Sequence, residues 1–375
     1  MKYPLFKVHI DIDDALERIK KVFESGFLNE GREVLQIRDL LRSIWGVENI
    51  TMTSSCTGSL IMALKIAGVE SGDEVIAPSM TCVATNVSTE WLGAKTVWAD
   101  INPATGNIDP KDVAKKINKK TKAVICVDWA GIPCELEELQ KICTSNGIKL
   151  IQDAAHAFGS EYKGKEICHW ADITCYSFQA IKHITTGDGG AIVCLNDEDH
   201  EKANRLKWYG FDRDRLKDED GNWKGKRWDS NIKEVGWKLN MNNMSAVIGL
   251  SNLEKREKII GSHKRNAAIY REIFSKNSKI ASLKVEKYMD PAYWIYTVLL
   301  DSSLDRDAVI ETLAEKEIHS GMVHIPNHPY DCFENRVTLE HTDNFAKHQI
   351  CIPCGWWLSE EDVKYIALCL EECVK

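Results

Sequence analysis

The most regular feature of the chain is an alternation of short apolar runs with amphipathic segments of helical spacing. Strand-like runs occupy residues 74–77, 95–99, 122–127 and 149–152. Helical segments between them occupy residues 83–92, 110–117 and 135–145. Short links containing Gly, Pro or Asn separate these elements, as in strand–helix–strand units. The pattern therefore predicts an α/β fold with a mostly parallel central sheet and helices on both faces.

Helical spacing also marks the two ends of the chain. At the N-terminus, amphipathic helices are predicted for residues 11–23 and 34–44, with a turn at 26–31. A helix capped by Asn242 or Asn243 is predicted to run on toward Tyr270. The C-terminal pattern predicts strand 294–300, helix 305–316, a strand-like segment 322–324 and a final helix 359–374. We therefore expect a large domain over residues 1–250, which includes the N-terminal helices, and a smaller C-terminal α/β domain over 251–375.

Composition narrows the class of protein. The 375 residues carry a net charge of −8 and contain no basic block, which argues against a nucleic-acid partner. The N-terminus lacks the apolar core of a signal peptide and no apolar run reaches membrane-spanning length. We therefore expect a cytoplasmic protein with no membrane partner.

Most of the thirteen cysteines stand singly in apolar runs. The C-terminal cysteines 351, 354, 369 and 373 have only part of the spacing of a zinc site, so no metal is expected.

The candidate chemistry centres on the stretch 177–190, which reads S-F-Q-A-I-K-H-I-T-T-G-D-G-G between two strand-like runs. Its single lysine, Lys182, has no acidic neighbour in this stretch before Asp188. A lysine without a counter-charge on a short loop between buried strands tends to lose its proton, and can then attack carbonyl compounds as an amine nucleophile. Taken alone, the stretch is also compatible with an ordinary surface lysine, since most lysines are exposed.

Two further segments have features of a binding site. The turn 54–59, S-S-C-T-G-S, precedes an apolar helix predicted for 60–67. Free N–H groups at a helix start bind anions such as phosphate, although a plain N-cap explains the same residues. Asp153 follows the strand-like run 149–152, and ligands of parallel sheets bind beyond the carboxyl ends of strands. There it can keep a heterocyclic nitrogen protonated, or it can cap the next turn.

Several blocks, taken in order along the chain, carry a resemblance to a known family. They read G-F-L-N-E-G, S-S-C-T-G-S-L-I-M-A-L, A-P-S-M-T-C-V-A-T-N, Q-D-A-A-H-A-F-G, S-F-Q-A-I-K-H-I-T-T-G-D-G-G, G-W-K-L-N-M-N-N-M-S-A-V-I-G and C-I-P-C-G-W-W-L-S. With these blocks, nearly the whole chain resembles the pyridoxal-phosphate-dependent nucleotide-sugar aminotransferases of the DegT type. That resemblance implies the aspartate-aminotransferase fold, also called fold type I.

The resemblance implies a role for each matching residue around the cofactor ring. Lys182 would form the Schiff base with pyridoxal phosphate and move protons between cofactor and substrate carbons. Asp153 would hold the pyridine nitrogen protonated, so that the ring can accept electrons. His156 would lie beside the ring. Cys82 stands where many relatives have an aromatic residue that stacks on the ring, so stacking is weaker in this chain or comes from elsewhere.

The resemblance also implies how the cofactor phosphate is bound. Thr57, Gly58 and Ser177 would contact it from the same subunit. Lys238, with Asn240 close by, matches a position that reaches the phosphate of the neighbouring subunit in this family. The chain is therefore expected to form a homodimer with shared active sites.

The implied reaction transfers an amino group, with glutamate as the expected donor, to a keto group at C4 or C3 of a nucleotide-linked deoxysugar. The candidate contacts to sugar and diphosphate are Asn29, Arg213, Arg215, His324 and His328. The two arginines lie in a polar loop rich in aromatic residues, 208–228, and arginine suits bidentate binding of phosphate oxygens. A solvated charged loop and satisfied structural histidines are the alternatives.

Two other functions stay open at the level of the sequence. One is a pyridoxal-phosphate-dependent keto-sugar dehydratase, but some relatives with that activity have histidine in place of the lysine, so Lys182 favours transamination. The other is a non-catalytic sensor or regulator that kept the fold. Such regulators usually have an additional DNA-binding or signalling domain, for which this chain has no spare length.

Overall fold

The computed structural model describes residues 1–211, 231–334 and 336–375. The helices are α1 (Ile12–Ser25), α2 (Arg32–Trp45), α3 (Cys56–Ile66), α4 (Val83–Glu90), α5 (Pro110–Lys116), α6 (Leu136–Ser145), α7 (Asp197–Leu206), α8 (Asn243–Leu253), α9 (Arg256–Phe274), α10 (Arg306–Glu315), α11 (Glu340–His348) and α12 (Glu360–Cys373). The strands are β1 (Ile50–Thr53), β2 (Glu74–Pro78), β3 (Lys95–Ala99), β4 (Thr121–Val127), β5 (Lys149–Asp153), β6 (Glu161–Tyr162), β7 (Lys165–Glu166), β8 (Ile173–Ser177), β9 (Gly190–Cys194), β10 (Ile280–Ser282), β11 (Met289–Asp290), β12 (Tyr296–Leu300) and β13 (Gln349–Ile352). None of the described helices combines the length and the apolar character that a bilayer crossing demands.

A seven-stranded sheet forms the centre of the protein, in the order β1-β9-β8-β5-β4-β2-β3. The neighbours from β8 to β3 are all parallel, whereas β9 runs antiparallel to both β1 and β8. The four predicted strand-like runs correspond to β2, β3, β4 and β5 and differ from them by one residue at most at either end. The predicted α/β fold with a mostly parallel sheet is therefore confirmed.

Side chains that alternate along the strands enter two separate cores, because successive residues of a strand point to opposite faces. On one face, Val124 and Leu150 pack into the core that includes residues of α2 and α6. On the other face, Ile125 and Ile151 pack into the core that includes residues of α3 and α7. Helices therefore cover both faces, which explains why the central residues of β4, Ala123–Val127, and of β5, Leu150 and Ile151, are apolar in succession instead of alternating with polar residues.

The C-terminal part forms a second α/β unit around the antiparallel sheet β10-β12-β13. Its core includes Tyr270 of α9, Leu313 of α10 and Ile366 of α12. The predicted helices 305–316 and 359–374 correspond to α10 and α12. Residues 322–324 do not form the expected strand. The strands that pair with β12 are β10 and β13, and the sequence pattern predicted neither of them. The division into domains at residue 250 stays a prediction.

The single long helix predicted from Asn242 toward Tyr270 is in fact two helices. The Asn242 side chain caps α8 by accepting the Ser245 N–H at 2.9 Å. The chain then turns at Lys255, with φ −101° and ψ 4°, before α9 begins. This turn coincides with the change from the largely buried α8 to the charged run 254–258. Helical spacing continues across such a short interruption and does not reveal it.

The N-terminal residues ahead of α1 connect the C-terminal unit to the central one. The Tyr3 N–H donates to the Glu317 carbonyl at 3.0 Å, and the His319 N–H donates to the Tyr3 carbonyl at 2.9 Å. Farther along, the Trp356 ring N–H donates to the Lys7 carbonyl at 3.2 Å. Between these two attachments, Phe6 turns inward and stacks on the ring of Trp294.

Candidate active site

A cavity of about 670 Å³ lies at the carboxyl ends of β5 and β8, where ligands of parallel sheets bind. Asp153 is the last residue of β5 and Ser177 the last residue of β8. Lys182 follows in the loop between β8 and β9, and Thr57 belongs to the first turn of α3. All four residues line the cavity. Residues that the sequence analysis selected for separate reasons thus meet at one site.

The start of α3 reaches this cavity because β9 passes unusually close to it. A Cβ at Gly190 would lie 2.6 Å from the carbonyl carbon of Ser55 and 2.7 Å from the nitrogen of Cys56, so glycine alone permits this approach. Ser55 caps the helix by accepting the Gly58 N–H at 3.1 Å. Ser55, Cys56 and Thr57 of this helix start line the cavity, and a helix start is suited to an anion such as phosphate.

Two details of this helix start differ from the sequence analysis. α3 begins at Cys56, ahead of the predicted residue 60, because the predicted turn is itself helical after Ser55. Gly58 is buried, its N–H is engaged by the Ser55 cap, and a Cβ there would lie 3.1 Å from Leu239. A contact from Gly58 to a phosphate would therefore have to share or replace the cap bond.

Asp153 is a buried carboxyl group held by three donors. Thr85 Oγ1 donates to its Oδ2 at 2.7 Å. The Ala155 N–H at 3.1 Å and Cys56 Sγ at 3.8 Å donate to its Oδ1. Burial raises the pKa of Asp153, and these hydrogen bonds oppose that rise. A carboxyl group fixed in this way at the cavity wall can pair with a protonated ring nitrogen, since an opposite charge restores its ionised form.

The Lys182 amine lies deep in the cavity without a salt bridge. Burial lowers its pKa to about 8, and the Asp153 carboxylate partly opposes this effect. Among the residues that the structure describes, no carboxylate forms an ion pair with the amine; its Nζ lies 3.6 Å from the centroid of the Trp294 ring. A substantial fraction of the amine is therefore unprotonated near neutral pH, as a nucleophile or a proton acceptor requires.

Three aromatic side chains line the cavity next to this amine. The rings of His156 and Trp294 are stacked, with centroids 4.0 Å apart. His324 Nε2 lies 3.4 Å from His156 Nε2, so one ring nitrogen donates and the other accepts. Burial lowers the pKa of both histidines, to about 3 for His324, and both rings are neutral at physiological pH. His156 Nδ1 is buried and has no hydrogen-bond partner among the described residues, which makes it available to a polar atom of a ligand.

Cys82 also lines the cavity, as the residue that precedes α4. With a cysteine at position 82, stacking on the cofactor ring was expected to be weaker or to come from elsewhere in the chain. The aromatic rings that the described residues bring to the cavity are those of Trp294, His156, His319 and His324, together with Phe6.

Asn29, Lys238 and Asn240 form a second cluster, away from the cavity wall. Lys238 Nζ donates to Asn240 Oδ1, and Asn240 Nδ2 donates to Asn29 Oδ1 at 3.2 Å. Lys238 Nζ also lies 4.1 Å from the centroid of the Trp208 ring. None of the three residues lines the cavity of its own chain. The fold thus brings together residues that the sequence analysis connected with subunit sharing and with substrate.

The other predicted substrate contacts have different positions. His328 is buried away from the cavity: its Nδ1 bonds with Ser79 Oγ at 2.9 Å, and its Nε2 lies 3.4 Å from Asp343. These contacts agree with the alternative of a satisfied structural histidine. Arg213 and Arg215, with most of the predicted loop 208–228, lie outside the described residues.

The sequence analysis missed several residues of the site. Trp294 was assigned only to the start of a predicted strand, and Phe6 and Thr85 were not singled out. Phe6 and Trp294 line the cavity, and Thr85 donates a hydrogen bond to Asp153, which lines it. These contacts join segments that are distant in sequence, and local patterns contain no signal for them. The one available signal was an aromatic residue at the start of a predicted strand.

The sequence matches the DegT/DnrJ/EryC1/StrS aminotransferase family over residues 10–371. The chain belongs to this family. The GDP-perosamine synthase of Escherichia coli O157:H7 is 30% identical over 335 residues, which are 87% of this chain and 86% of that protein. The sugar aminotransferase CalS13 from Micromonospora echinospora superposes with a TM-score of 0.92 at 28% identity, over 99% of each chain. PseC from Helicobacter pylori, an aminotransferase of pseudaminic acid biosynthesis, superposes with a TM-score of 0.90 at 26% identity, over 100% of this chain and 99% of that one.

These findings confirm the predicted family, fold type I and aminotransferase activity. Aminotransferases of the DegT family use pyridoxal phosphate. The residues of the cavity fit this cofactor chemically. They combine the Lys182 amine with its lowered pKa, the buried carboxyl group of Asp153 and the start of α3, which is suited to a phosphate. The unpartnered His156 Nδ1 is a further polar group that a ligand in this cavity can satisfy.

The hydrogen bond from Thr85 to Asp153 leads to a first prediction. Thr85→Val should lower the free energy of unfolding by about 1–3 kcal/mol, because a buried carboxyl group loses its closest donor. Turnover should fall as well, because an Asp153 that is harder to ionise holds a ring nitrogen less well. Chemical denaturation and initial rates measure the two effects.

Thr89→Val is the matched control in the same helix α4. Thr89 Oγ1 is buried and makes no hydrogen bond to any described residue, so replacing its hydroxyl with a methyl group should leave stability unchanged or raise it. Equal losses of stability in the two variants would show that the Thr85–Asp153 bond contributes nothing specific.

Proposed function

We propose that this protein transfers an amino group from an amino acid, with glutamate as the expected donor, to a C4 or C3 keto group of a nucleotide-linked deoxysugar. The observation that carries the proposal is the meeting of Lys182, Asp153 and the start of α3 at one cavity. The names of similar proteins support the substrate class: two are a GDP-perosamine synthase and a UDP-4-amino-4,6-dideoxy-N-acetyl-β-L-altrosamine transaminase. A further relative at 27% identity, DesI, was solved with its TDP-sugar product.

In this proposal each cavity residue has one task toward the cofactor. Lys182 Nζ binds it covalently, and Asp153 keeps its ring nitrogen protonated. Bound pyridoxal phosphate supplies an electron-accepting ring that stabilises negative charge at the neighbouring carbon. His156, with an unpartnered ring nitrogen, provides a polar contact beside the ring, and Cys82 borders the same space. The phosphate contacts are assigned to Thr57, Gly58 and Ser177.

Lys182 also acts as the proton carrier of the reaction. With a pKa of about 8, its Nζ can accept a proton and return it at neutral pH without a large free-energy cost.

The presence of Lys182 favours transamination over dehydration, and the position of His183 supports this preference. The dehydratase relatives described above have histidine at the position of Lys182, and in this chain the nearest histidine in sequence is His183. Its ring is buried outside the cavity, and its Nε2 donates to the Ala292 carbonyl at 3.1 Å. His183 therefore has a structural partner and cannot replace a histidine at the reacting centre.

We further propose that two subunits share each site. Lys238 and Asn240 lie outside the cavity of their own chain, which is consistent with a contact to the phosphate of a partner. The N-terminal helix α1 and the turn after it expose apolar side chains that a partner could cover, among them Leu16, Phe23 and Phe27. Asn29 and His324 stay as proposed substrate contacts, and so do Arg213 and Arg215 outside the described residues.

A panel of nucleotide-linked keto-deoxysugars with glutamate tests the proposed reaction. We expect release of 2-oxoglutarate with at least one C4 or C3 keto substrate. Lys182→Ala should reduce that release by more than about a thousandfold, because no other amine can take over its tasks. Lys165→Ala, which removes an exposed lysine of the β7 hairpin, should have no effect. Near-normal turnover of Lys182→Ala would contradict the assignment of this amine.

Subunit sharing is tested by mixing inactive variants under conditions that allow subunits to exchange. Lys182→Ala mixed with Lys238→Ala should regain activity, because one site of the mixed dimer combines an intact Lys182 with the partner's intact Lys238. The matched control mixes Lys182→Ala with Asp153→Asn. These two residues line the same cavity of one chain, so neither site of that mixed dimer is complete and no activity should return. Failure of the first mixture after proven exchange would refute the shared site.

A further inference from the structure

Trp294 makes the most direct contact with the Lys182 amine. The amine nitrogen lies 3.6 Å from the centroid of the indole ring, so it rests against the face of the ring. The ring nitrogen of Trp294 donates a hydrogen bond to the carbonyl of Ile181 at 2.7 Å. Ile181 is the residue immediately before Lys182. The same ring therefore holds the backbone of the lysine loop and contacts the lysine side chain.

The surroundings of Trp294 fix the orientation of its ring. His156 stacks on it with centroids 4.0 Å apart, and Phe6 from the N-terminal segment stacks on it at 4.9 Å. The preceding residue, Tyr293, has φ 51°, in the left-handed region that non-glycine residues rarely adopt. The Tyr293 carbonyl is held there by a hydrogen bond from His263 Nδ1 at 2.8 Å. A strained backbone that is held in place is often found at functional sites.

We propose that Trp294 is a positioning residue, which holds the Lys182 amine at the cavity and stabilises its ammonium form whenever the amine is not bonded to the cofactor. The proposal rests on the proposed role of Lys182. The negative face of an indole ring attracts a cation, most strongly where water is excluded. A buried amine without a salt bridge needs such a contact if it is to accept a proton during the reaction.

Other titratable groups surround the amine. Asp153 of β5, Cys56 of α3 and Cys82 before α4 favour its charged form, and burial opposes it. His156 and His324 are neutral neighbours. His183 is also neutral, because burial lowers its pKa. The carboxyl group of Asp153 is proposed to serve the cofactor ring nitrogen, so within the part of the chain that the structure describes the indole ring is the contact that remains for the amine itself.

The test measures the protonation of Lys182 directly in protein loaded with pyridoxamine phosphate, where the amine is not bonded to the cofactor. A trace of acetic anhydride acetylates unprotonated amines, and peptide mass spectrometry gives the extent of Lys182 acetylation as a function of pH. For the unchanged protein, half-maximal labelling is expected near pH 8. Trp294→Leu should move this midpoint down by about 0.4 to 1.5 pH units, because the ammonium form loses its aromatic contact. Trp294→Phe should shift it less, in the same direction.

Trp91→Leu is the matched control, because it makes the same substitution at an exposed tryptophan outside the cavity. Its labelling midpoint should stay close to that of the unchanged protein. An unchanged or raised midpoint in Trp294→Leu would overturn the proposal, and so would an equal shift in Trp91→Leu. If Trp294→Leu does not fold, the smaller downward shift of Trp294→Phe decides the question.

The labelling experiment is independent of transamination. A protein that does not bind pyridoxamine phosphate would refute the proposed function before Trp294 is tested. A protein that binds it and shows no shift would refute the role of Trp294 alone.

Discussion

The burial of one amine that forms no ion pair with any described residue is the constraint on which the site depends. Removal of the Lys182 amine from water lowers its pKa to about 8, which makes it reactive near neutral pH. The fold maintains this state by placing Asp153 at the cavity wall, engaged with Thr85 instead of with the amine. A carboxylate in ion-pair contact would keep the amine charged and unreactive. The reactivity of the Lys182 amine therefore follows from the positions of the strand ends and from the lack of an ion pair with any described carboxylate.

The topology of the sheet explains how these groups meet. β5 and β8 are parallel neighbours, so Asp153 and Ser177 emerge at the same edge, although they are far apart in sequence. The antiparallel β9 returns the lysine loop across that edge, and the absence of a side chain at Gly190 lets the start of α3 approach. The candidate groups for a ring nitrogen, an aldehyde carbon and a phosphate thus come from the end of β5, the loop after β8 and the start of α3.

The sequence predicted the parts of this site that local patterns determine. Asp153 is the last residue of β5 and Lys182 lies in the loop after β8, and strand ends are visible as a change from apolar to polar residues. Local patterns do not predict contacts between segments that are distant in sequence. Two such contacts are that of the Trp294 ring with the Lys182 amine and the hydrogen bond between Ser79 and His328. The turn at Lys255 and the cap bond of Gly58 were missed for a related reason, since both depend on backbone geometry that helical spacing does not resolve.

The central claim is that the Lys182 amine is the one that binds the cofactor. Borohydride reduction of the purified protein fixes a cofactor–lysine linkage, and peptide mass spectrometry then locates it. The account predicts that the visible absorption of the protein disappears and that the cofactor mass is found on the peptide that contains Lys182. Cofactor mass on another lysine, such as Lys238, or on none, would contradict it.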